Sequence, residues 1–265
     1  MEHEPVIAPG RGRAPRPTPR PPLPWLLSQT WRDVAFLHWP VPVAALRAHV
    51  PASLTIDVHE GDAWIGVTAF LATGSRLRGI VPVAGARTFA QVRIATYVRI
   101  GDRPGVLPLG VYASSRLAVL GARALHRLPY RTATVRVTHE RERHERERHE
   151  REWIAYRSRR ADGAELSVRV RPTGEAFSPE PGSLEHFLFE RYALFSVTGG
   201  GRVLENDVTH APWRLRPAEA RVERITWGRA LGLDLEGEPL AHLCDDQHVR
   251  IWPPRRATWR PLPSA

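Results

Sequence analysis

The chain is dominated by short stretches in which apolar and polar residues alternate, and this pattern constrains its fold most. LTIDV and AWIGVTAF flank the turn HEGD, and TFAQVRIATYVRI alternates up to the turn GDRPG. Alternation with a period of two places successive side chains on opposite faces of a strand. Because a long series of hairpins leaves exposed edges unless the sheet bends, the pattern predicts a curved or barrel-like antiparallel β-sheet.

Three stretches interrupt the alternation and predict helices. PVAALRAHV begins near Pro42 and ends at Pro51, and proline is compatible with the first turn of a helix but not with its interior. SSRLAVLGARALHRLP follows Ser114 or Ser115 as N-cap, and SLEHFLFERY has Ser183 as N-cap. The predicted fold class is therefore α+β, a bent sheet with a few packed helices.

The domain boundaries follow from proline and arginine. Residues 1–24 contain PGRGRAPRPTPRPPLP and predict a disordered Pro/Arg-rich tail, since proline removes backbone donors and fixes φ. Residues 255–265 resemble them and predict a second disordered tail. Residues 25–254 contain no convincing linker, so we expect one domain.

Composition excludes one class of chemistry. All 38 basic residues are arginine, and the chain contains no lysine. An imine with a carbonyl substrate requires a lysine amine, because arginine stays protonated and cannot act as the nucleophile. The single cysteine, Cys244, excludes an intramolecular disulfide and favours a cytoplasmic location. No stretch is long and apolar enough to span a bilayer, so no membrane partner is expected, and no motif indicates a cofactor or a metal.

The segment HERERHERERHERE, residues 139–152, repeats a five-residue unit. A five-residue period points His139, His144 and His149 in different directions on a helix and to alternating faces on a strand, so it does not gather a metal site. The segment has no apolar residue and lies between two predicted strands. We therefore interpret it as a charged insertion at the tip of a hairpin.

The positive charge lies mainly in the first half of the chain. Residues 25–138 carry 13 arginines and five acids, whereas the repeat carries five arginines and six glutamates. A basic surface attracts nucleic acid through its phosphates. Nucleic-acid binding through this surface is the weakest of three hypotheses about function, and such a partner is not expected.

The chain resembles the YqjF-like uncharacterised family, domain of unknown function 2071, whose fold is similar to that of acetoacetate decarboxylase. The resemblance rests on stretches that follow one another from Trp31 to Pro254: WRDVAFLHWPVPVAALRAHVP, LTIDVHEGDAWIGVTAF, TYVRIGDRPGV, ARALHRLPYRTATV, FLFERYALFSV, VTHAPWRL and HVRIWPP. It implies an acetoacetate decarboxylase-like fold but names no substrate, because the family has no established activity.

Two departures limit what this resemblance implies. Acetoacetate decarboxylases use a catalytic lysine, which this chain lacks. The strand that usually reads E-x-N-x-R-T-Y-V reads QVRIATYV here, so that Gln91 replaces the carboxylate, Arg93 the amide and Ala95 the arginine. A general base at the carboxylate position is therefore missing.

A curved sheet of this kind commonly encloses a cavity. Gln91, Arg93 and Tyr97 share one face of a strand, and Arg93 is suited to a bidentate contact with a carboxylate unless that face is the outer one. Three further candidate ligand-binding residues are His38 and His210, each beside or near a tryptophan, and Glu190 at the end of a predicted helix. For the histidines a structural hydrogen bond is the alternative, and for Glu190 an internal ion pair.

The leading hypothesis is a pocket for a small-molecule ligand, an organic anion or a carbonyl compound, without Schiff-base chemistry. The alternative is a non-catalytic binding or scaffold protein that keeps the fold. Both leave the identity of catalytic residues open.

Overall fold

A computed structural model of the chain describes residues 24–79, 87–143, 150–233, 235 and 237–257. The helices are α1 (Val43–Leu46), α2 (Arg116–His126) and α3 (Leu184–Phe189), with a short 3-10 helix at Arg229–Leu231. The strands are β1 (Leu27–Val41), β2 (Thr55–Ile56), β3 (Ala63–Leu77), β4 (Phe89–Ile100), β5 (Arg103–Ala113), β6 (Tyr130–Thr132), β7 (Thr134–Arg143), β8 (Glu150–Arg159), β9 (Glu165–Pro172), β10 (Ala193–Val197), β11 (Val203–Thr209), β12 (Leu215–Ile225), β13 (Leu240–Cys244), β14 (Gln247–Ile251) and β15 (Arg255–Arg256).

Seven strands close into a barrel in the order β14-β11-β10-β5-β4-β3-β1, and β14 returns to pair with β1. The other half of β1 pairs with β13, which leads into a second run of strands, β12-β9-β8-β7. The predicted α+β, barrel-like fold is confirmed. The sheet is mixed rather than antiparallel throughout, because β5 pairs in parallel with β10 and with β6. Both parallel partners follow connections long enough to contain a helix, which parallel pairing requires.

Alternation along the strands divides the apolar residues into two cores. On β3, Ile65 and Val67 belong to a core shared with the second run of strands, whereas Trp64 and Phe70 belong to the core inside the barrel. Residues from all seven barrel strands contribute to the inner core or to the cavity within it. The side chains of β4 that point into the barrel, such as those of Arg93 and Tyr97, are therefore the ones that can belong to a site inside it.

Serine caps start two of the helices as expected. Ser115 accepts a hydrogen bond from the backbone N–H of Ala118, and Ser183 accepts one from that of His186. The first predicted helix, by contrast, is shorter than expected, with only Val43–Leu46 helical. The backbone N–H of His49 bonds to the carbonyl of Leu46 in a tight turn, and the approaching Pro51 disfavours further helix. Among the described residues, no helix is both long and apolar enough to cross a bilayer.

The predicted C-terminal tail begins too early. Arg255 and Arg256 form β15, which pairs with β11. The guanidinium of Arg255 lies 3.0 Å from the carboxylate of Glu205 and 3.1 Å from that of Asp207, and these ion pairs hold the strand in place. The predicted tails at residues 1–23 and 258–265 lie outside the described residues.

The charged repeat extends a hairpin. Its first and last residues continue the β7–β8 ladder as far as the pair Arg143 and Glu150, and residues 144–149 lie outside the described part. His139, the first histidine of the repeat, contacts Asp33 of β1 through Nε2 at 3.1 Å and Glu152 through Nδ1 at 3.3 Å. The hairpin is thereby joined to the strand that both sheets share.

Asp33 holds an unusual backbone position at this contact. Its φ is 49°, in the left-handed region that costs energy for a residue other than glycine, and it lies in a β-bulge between Arg32 and Ala35. The buried Tyr156 hydroxyl donates to the Asp33 carbonyl at 2.7 Å. This bond and the His139 contact both support the bulged conformation.

We predict that the His139 contact stabilises the fold more at low pH. Partial burial alone would lower the pKa of His139, but the hydrogen bonds and charges of Asp33 and Glu152 outweigh it and raise the pKa. A raised folded-state pKa gives stability that is complete below the unfolded value of about 6.5 and is lost as the pH rises through the folded value. The effect stays below about 1 kcal/mol because the imidazole is half-exposed and screened.

The measurement is the free energy of unfolding in urea for the wild type and for His139→Gln. It is made at one pH below the unfolded-state pKa of about 6.5 and at one pH above the raised folded-state pKa of His139. The stability difference between the two proteins is expected to shrink as the pH rises. A difference that is independent of pH would show that protonation of His139 does not contribute.

Candidate functional site

A cavity of about 40 Å³ lies inside the barrel and is the candidate site. Its walls combine buried aromatic rings with a small set of polar side chains. The aromatic rings belong to Trp31, Phe36, Tyr97, Phe189 and Trp213, and the other polar residues are Thr68, Arg93, Arg191 and His210. Lysine, aspartate and glutamate are absent from the described lining residues.

Arg93 brings a cationic group into this cavity from β4. It lies directly opposite Thr68 of β3, and its Nη2 donates to Thr68 Oγ1 at 3.2 Å. Its Nε is buried and has no hydrogen-bond partner among the described residues. The guanidinium carbon lies 5.9 Å from the centre of the Trp31 ring, and burial lowers the pKa of Arg93.

No carboxylate of the described residues forms an ion pair with Arg93, and the titratable groups that act on it, Tyr97 and Tyr130, are phenols. Buried charges in proteins are normally paired with an opposite charge. The cavity therefore contains a cation whose countercharge does not come from the described chain.

Tyr97 follows Arg93 by four residues and lies on the same face of β4. Its hydroxyl is 2.7 Å from Nε2 of His38 on β1. Burial is the main cause that lowers the pKa of His38 to about 3, helped by the charges of His242 and Arg93. Burial also raises the pKa of Tyr97. At neutral pH the pair is therefore an uncharged imidazole and a protonated phenol.

Gly66 makes room for this pair. It lies opposite His38 on β3, and a Cβ atom added to it would come within 2.8 Å of the Tyr97 hydroxyl and 3.1 Å of His38 Nε2. Any larger residue would have to push the two side chains apart. The absence of a side chain at Gly66 thus keeps the phenol and the imidazole within hydrogen-bonding distance.

Arg191 covers one side of the cavity from the end of α3. Its Nη1 lies 2.5 Å from the carboxylate of Asp57, its Nε donates to the Phe187 carbonyl at 2.6 Å, and its guanidinium carbon lies 5.4 Å from the centre of the Tyr97 ring. Unlike Arg93, this buried arginine has its own carboxylate. The ion pair joins the segment after α3 to the segment after β2.

Only some of the predicted site residues line the cavity. Arg93, Tyr97 and His210 line the cavity, and His38 stands behind Tyr97. Gln91 is not among the lining residues, because its side-chain oxygen accepts a hydrogen bond from the Tyr130 hydroxyl at 3.0 Å.

Glu190 does not line the cavity either. Its carboxylate accepts a hydrogen bond from the hydroxyl of Tyr192, and the internal ion pair expected at this helix end is made by the next residue, Arg191. The His210 ring lies between Tyr192 and Trp213, with its Nδ1 2.8 Å from the carbonyl of Ala211. Burial lowers the pKa of His210.

Sequence reasoning missed the aromatic wall and the Arg191–Asp57 pair. Phe189 and Trp213 are joined by a hydrogen bond from the indole N–H to the Phe189 carbonyl at 2.9 Å. Both residues occur in quoted segments, SLEHFLFERY and VTHAPWRL, whose charged or titratable residues alone are predicted as site candidates. The clustering of aromatic residues beside those residues was the available signal.

Two comparisons concern the sequence. The model of a family described as an uncharacterized conserved protein, domain of unknown function 2071, matches residues 28–248. The uncharacterized protein YqjF of Bacillus subtilis is 37% identical over 235 residues, which cover 88% of this chain and 93% of that protein.

Solved structures with the acetoacetate decarboxylase-like fold are similar to this one. An acetoacetate decarboxylase-like enzyme from Sphingomonas wittichii RW1 gives a TM-score of 0.59 at 18% identity, covering 89% of this chain and 94% of that one. The enduracididine biosynthesis enzyme MppR, complexed with pyruvate, gives a TM-score of 0.61 at 13% identity, covering 89% and 91%. At these identities the likeness shows the fold alone.

Proposed function

The chain belongs to the uncharacterized family that includes YqjF, domain of unknown function 2071, and from this premise we propose that it binds a small organic anion in the barrel cavity. The observation that carries the proposal is Arg93, a partly buried guanidinium that has no described carboxylate partner and whose buried Nε donor is unused. A planar guanidinium matches the two oxygens of a carboxylate and binds them bidentately. A bound carboxylate would supply the missing countercharge.

The volume of the cavity limits the size of the anion. About 40 Å³ exceeds the roughly 10–15 Å³ that a single water needs and is well below the roughly 150 Å³ of a cavity that binds benzene. The proposed ligands are therefore carboxylates or oxo acids of a few heavy atoms. MppR, a neighbour in fold at 13% identity, is described with pyruvate, which is a ligand of this class.

A carbonyl group on the ligand would find a donor in Tyr97. In the tautomer that is protonated at Nε2, His38 donates to Tyr97 and leaves the phenol proton available for a ligand oxygen. Such a donor polarises a carbonyl without an imine, and the chain has no lysine amine that could form one. Arg93 and Tyr97 would then hold the two ends of an oxo acid.

Binding without turnover is the second candidate function. It is favoured by the absence of a carboxylate and of an amine among the described lining residues, because neither a carboxylate base nor an amine nucleophile is present there. In both cases we propose a small molecule as the partner. We also propose a cytoplasmic location, supported by a composition with one cysteine, Cys244, whose thiol is buried.

A thermal-shift screen tests the proposal. Formate, acetate, pyruvate and acetoacetate are expected to raise the melting temperature, because a ligand at about 100 times its Kd stabilises the folded state by about 2.7 kcal/mol. Acetamide, which is neutral and similar in size to acetate, is the matched control and is expected to have no effect. Proton NMR of each stabilising compound over time separates binding from turnover.

Two results would contradict anion binding in the cavity. One is a screen in which no small carboxylate stabilises the protein, and the other is stabilisation by acetamide equal to that by acetate.

A further inference from the structure

Helix α2 exposes apolar residues to solvent. The side chains of Leu117 and Leu120 are 50% and 64% exposed, whereas Val119 and His126 on the opposite side are buried. Successive helical residues are rotated by about 100°, so that Leu117, Leu120 and Ala124 lie within an arc of about 60°. These residues form an exposed apolar stripe along the helix.

Exposed arginines border this stripe. Arg116 and Arg123 lie beside Leu120 on the helix, Arg127 follows the last turn, and all three are exposed. We call the surface formed by Arg116, Leu117, Leu120, Arg123, Ala124 and Arg127 the α2 face. From Arg103 to His139 the sequence contains no aspartate and no glutamate. The α2 face therefore has no acid of its own.

The arginines of the α2 face are unpaired, as are some other exposed arginines of the described residues, such as Arg131 and Arg250. Within the part of the chain that the structure describes, none of the three arginines of the α2 face forms an ion pair. Elsewhere, Arg159 and Arg224 pair with Glu165, and Arg169 pairs with Glu223. The α2 face thus combines exposed leucines with arginines that lack a countercharge among the described residues.

We propose that the α2 face docks on an anionic lipid surface. Leucines that enter the boundary between headgroups and acyl chains, with arginines at the headgroups, are the arrangement of interfacial helices. A nucleic acid would satisfy the arginines but leave the leucines in water. A second copy related by a twofold axis would bring the arginines of both copies together.

This contact lies on a bilayer and does not cross it. It departs from the sequence-based expectation of no membrane partner, which rested on the absence of a spanning segment. It is also independent of the cavity, because none of the residues of the α2 face lines it.

Flotation with vesicles tests the proposal on the full chain. The protein is expected to float with phosphatidylcholine vesicles that contain about 30% phosphatidylserine, at about 0.1 M salt, and not with pure phosphatidylcholine. The double variant Arg116→Gln/Arg123→Gln is expected to bind about thirty-fold more weakly, since each arginine near an anionic leaflet contributes about a factor of five. Leu117→Ser/Leu120→Ser is also expected to lose binding, while its melting temperature stays unchanged because both positions are exposed.

The matched control is Arg159→Gln/Arg224→Gln, which removes the same charge from a different surface and is expected to float like the wild type. Leu120→Cys carrying an environment-sensitive fluorophore is expected to shift to the blue on anionic vesicles. The buried Cys244, whose pKa burial raises to about 12, should not compete for the label.

The proposal is overturned if the wild type does not float with the anionic vesicles, or if the control variant loses as much binding as the α2 variant. It is also overturned if the leucine variant floats normally, which would indicate a purely electrostatic surface of the kind that binds nucleic acid. Concentration-dependent dimerisation that the leucine variant abolishes, without flotation, would assign the face to a second copy instead.

Discussion

Replacing Arg93 by methionine is expected to abolish stabilisation by small carboxylates without destabilising the protein. The change removes the only cation that lines the cavity without a carboxylate partner in the described chain, so a carboxylate ligand loses its countercharge. A buried charge without an ion-pair partner is costly, and an apolar residue of similar volume is often neutral or stabilising there. The unliganded variant is therefore expected to unfold at the same temperature as the wild type or at a higher one.

The measurement is the melting temperature with and without acetate or pyruvate. Arg99→Met is the matched control, because it removes an arginine from the same strand, β4, at a position where the side chain only bonds the carbonyl of Gly101 and pairs with exposed Asp102. The control is expected to keep the full carboxylate effect. A variant at Arg93 that still responds to carboxylates would place the anion elsewhere.

Replacing Arg191 by methionine is expected to have the opposite result and to cost about 3 kcal/mol of stability. The substitution leaves the partly buried carboxylate of Asp57 without its partner and removes the bond to the Phe187 carbonyl. Breaking one side of a buried pair typically costs about 3–5 kcal/mol, and the partial exposure of Asp57 favours the lower end. For a chain of this size, this corresponds to a fall of about 6–12 °C in melting temperature.

Urea unfolding of Arg191→Met, Asp57→Asn and the double variant measures the coupling between the two residues. The double variant is expected to recover part of the loss, because it no longer buries an unpartnered carboxylate. Additive losses of unfolding free energy, or a loss below about 1 kcal/mol in Arg191→Met, would mean that the Arg191–Asp57 ion pair does not stabilise the fold.

Local patterns predicted the strands, the helix caps and the face shared by Arg93 and Tyr97. A period of two is sufficient to place those two residues together, and Ser115 and Ser183 identify helix starts through a single hydrogen bond each. These features depend on residues close in sequence. The alternation assigned residues to the two faces of each strand, but it did not show which face encloses the cavity, because that depends on how the whole sheet bends.

The remaining features depend on contacts that local patterns do not encode. Asp57 and Arg191 are 134 positions apart, and nothing near either residue identifies the other as its partner. Likewise, the bulge at Asp33 and the parallel pairing of β5 follow from how distant strands meet. The sequence predicts Gln91 and Glu190 as cavity residues from their neighbours along the chain. In the fold, each instead accepts a hydrogen bond from a tyrosine hydroxyl, that of Tyr130 for Gln91 and that of Tyr192 for Glu190.

The strand β1 belongs to both sheets, with Leu27–Trp31 paired to β14 and Val34–His38 paired to β13. The partners along this edge of β1 therefore lie about 200 positions later in the chain, whereas β3 pairs with its other edge. One edge of β1 can pair with β3 soon after synthesis, whereas its other edge must wait for β13 and β14, and contacts of such long sequence separation slow folding. The barrel around Arg93 is consequently closed only when β14 has joined β1, so ligand binding must follow the pairing of two segments that are far apart in the chain.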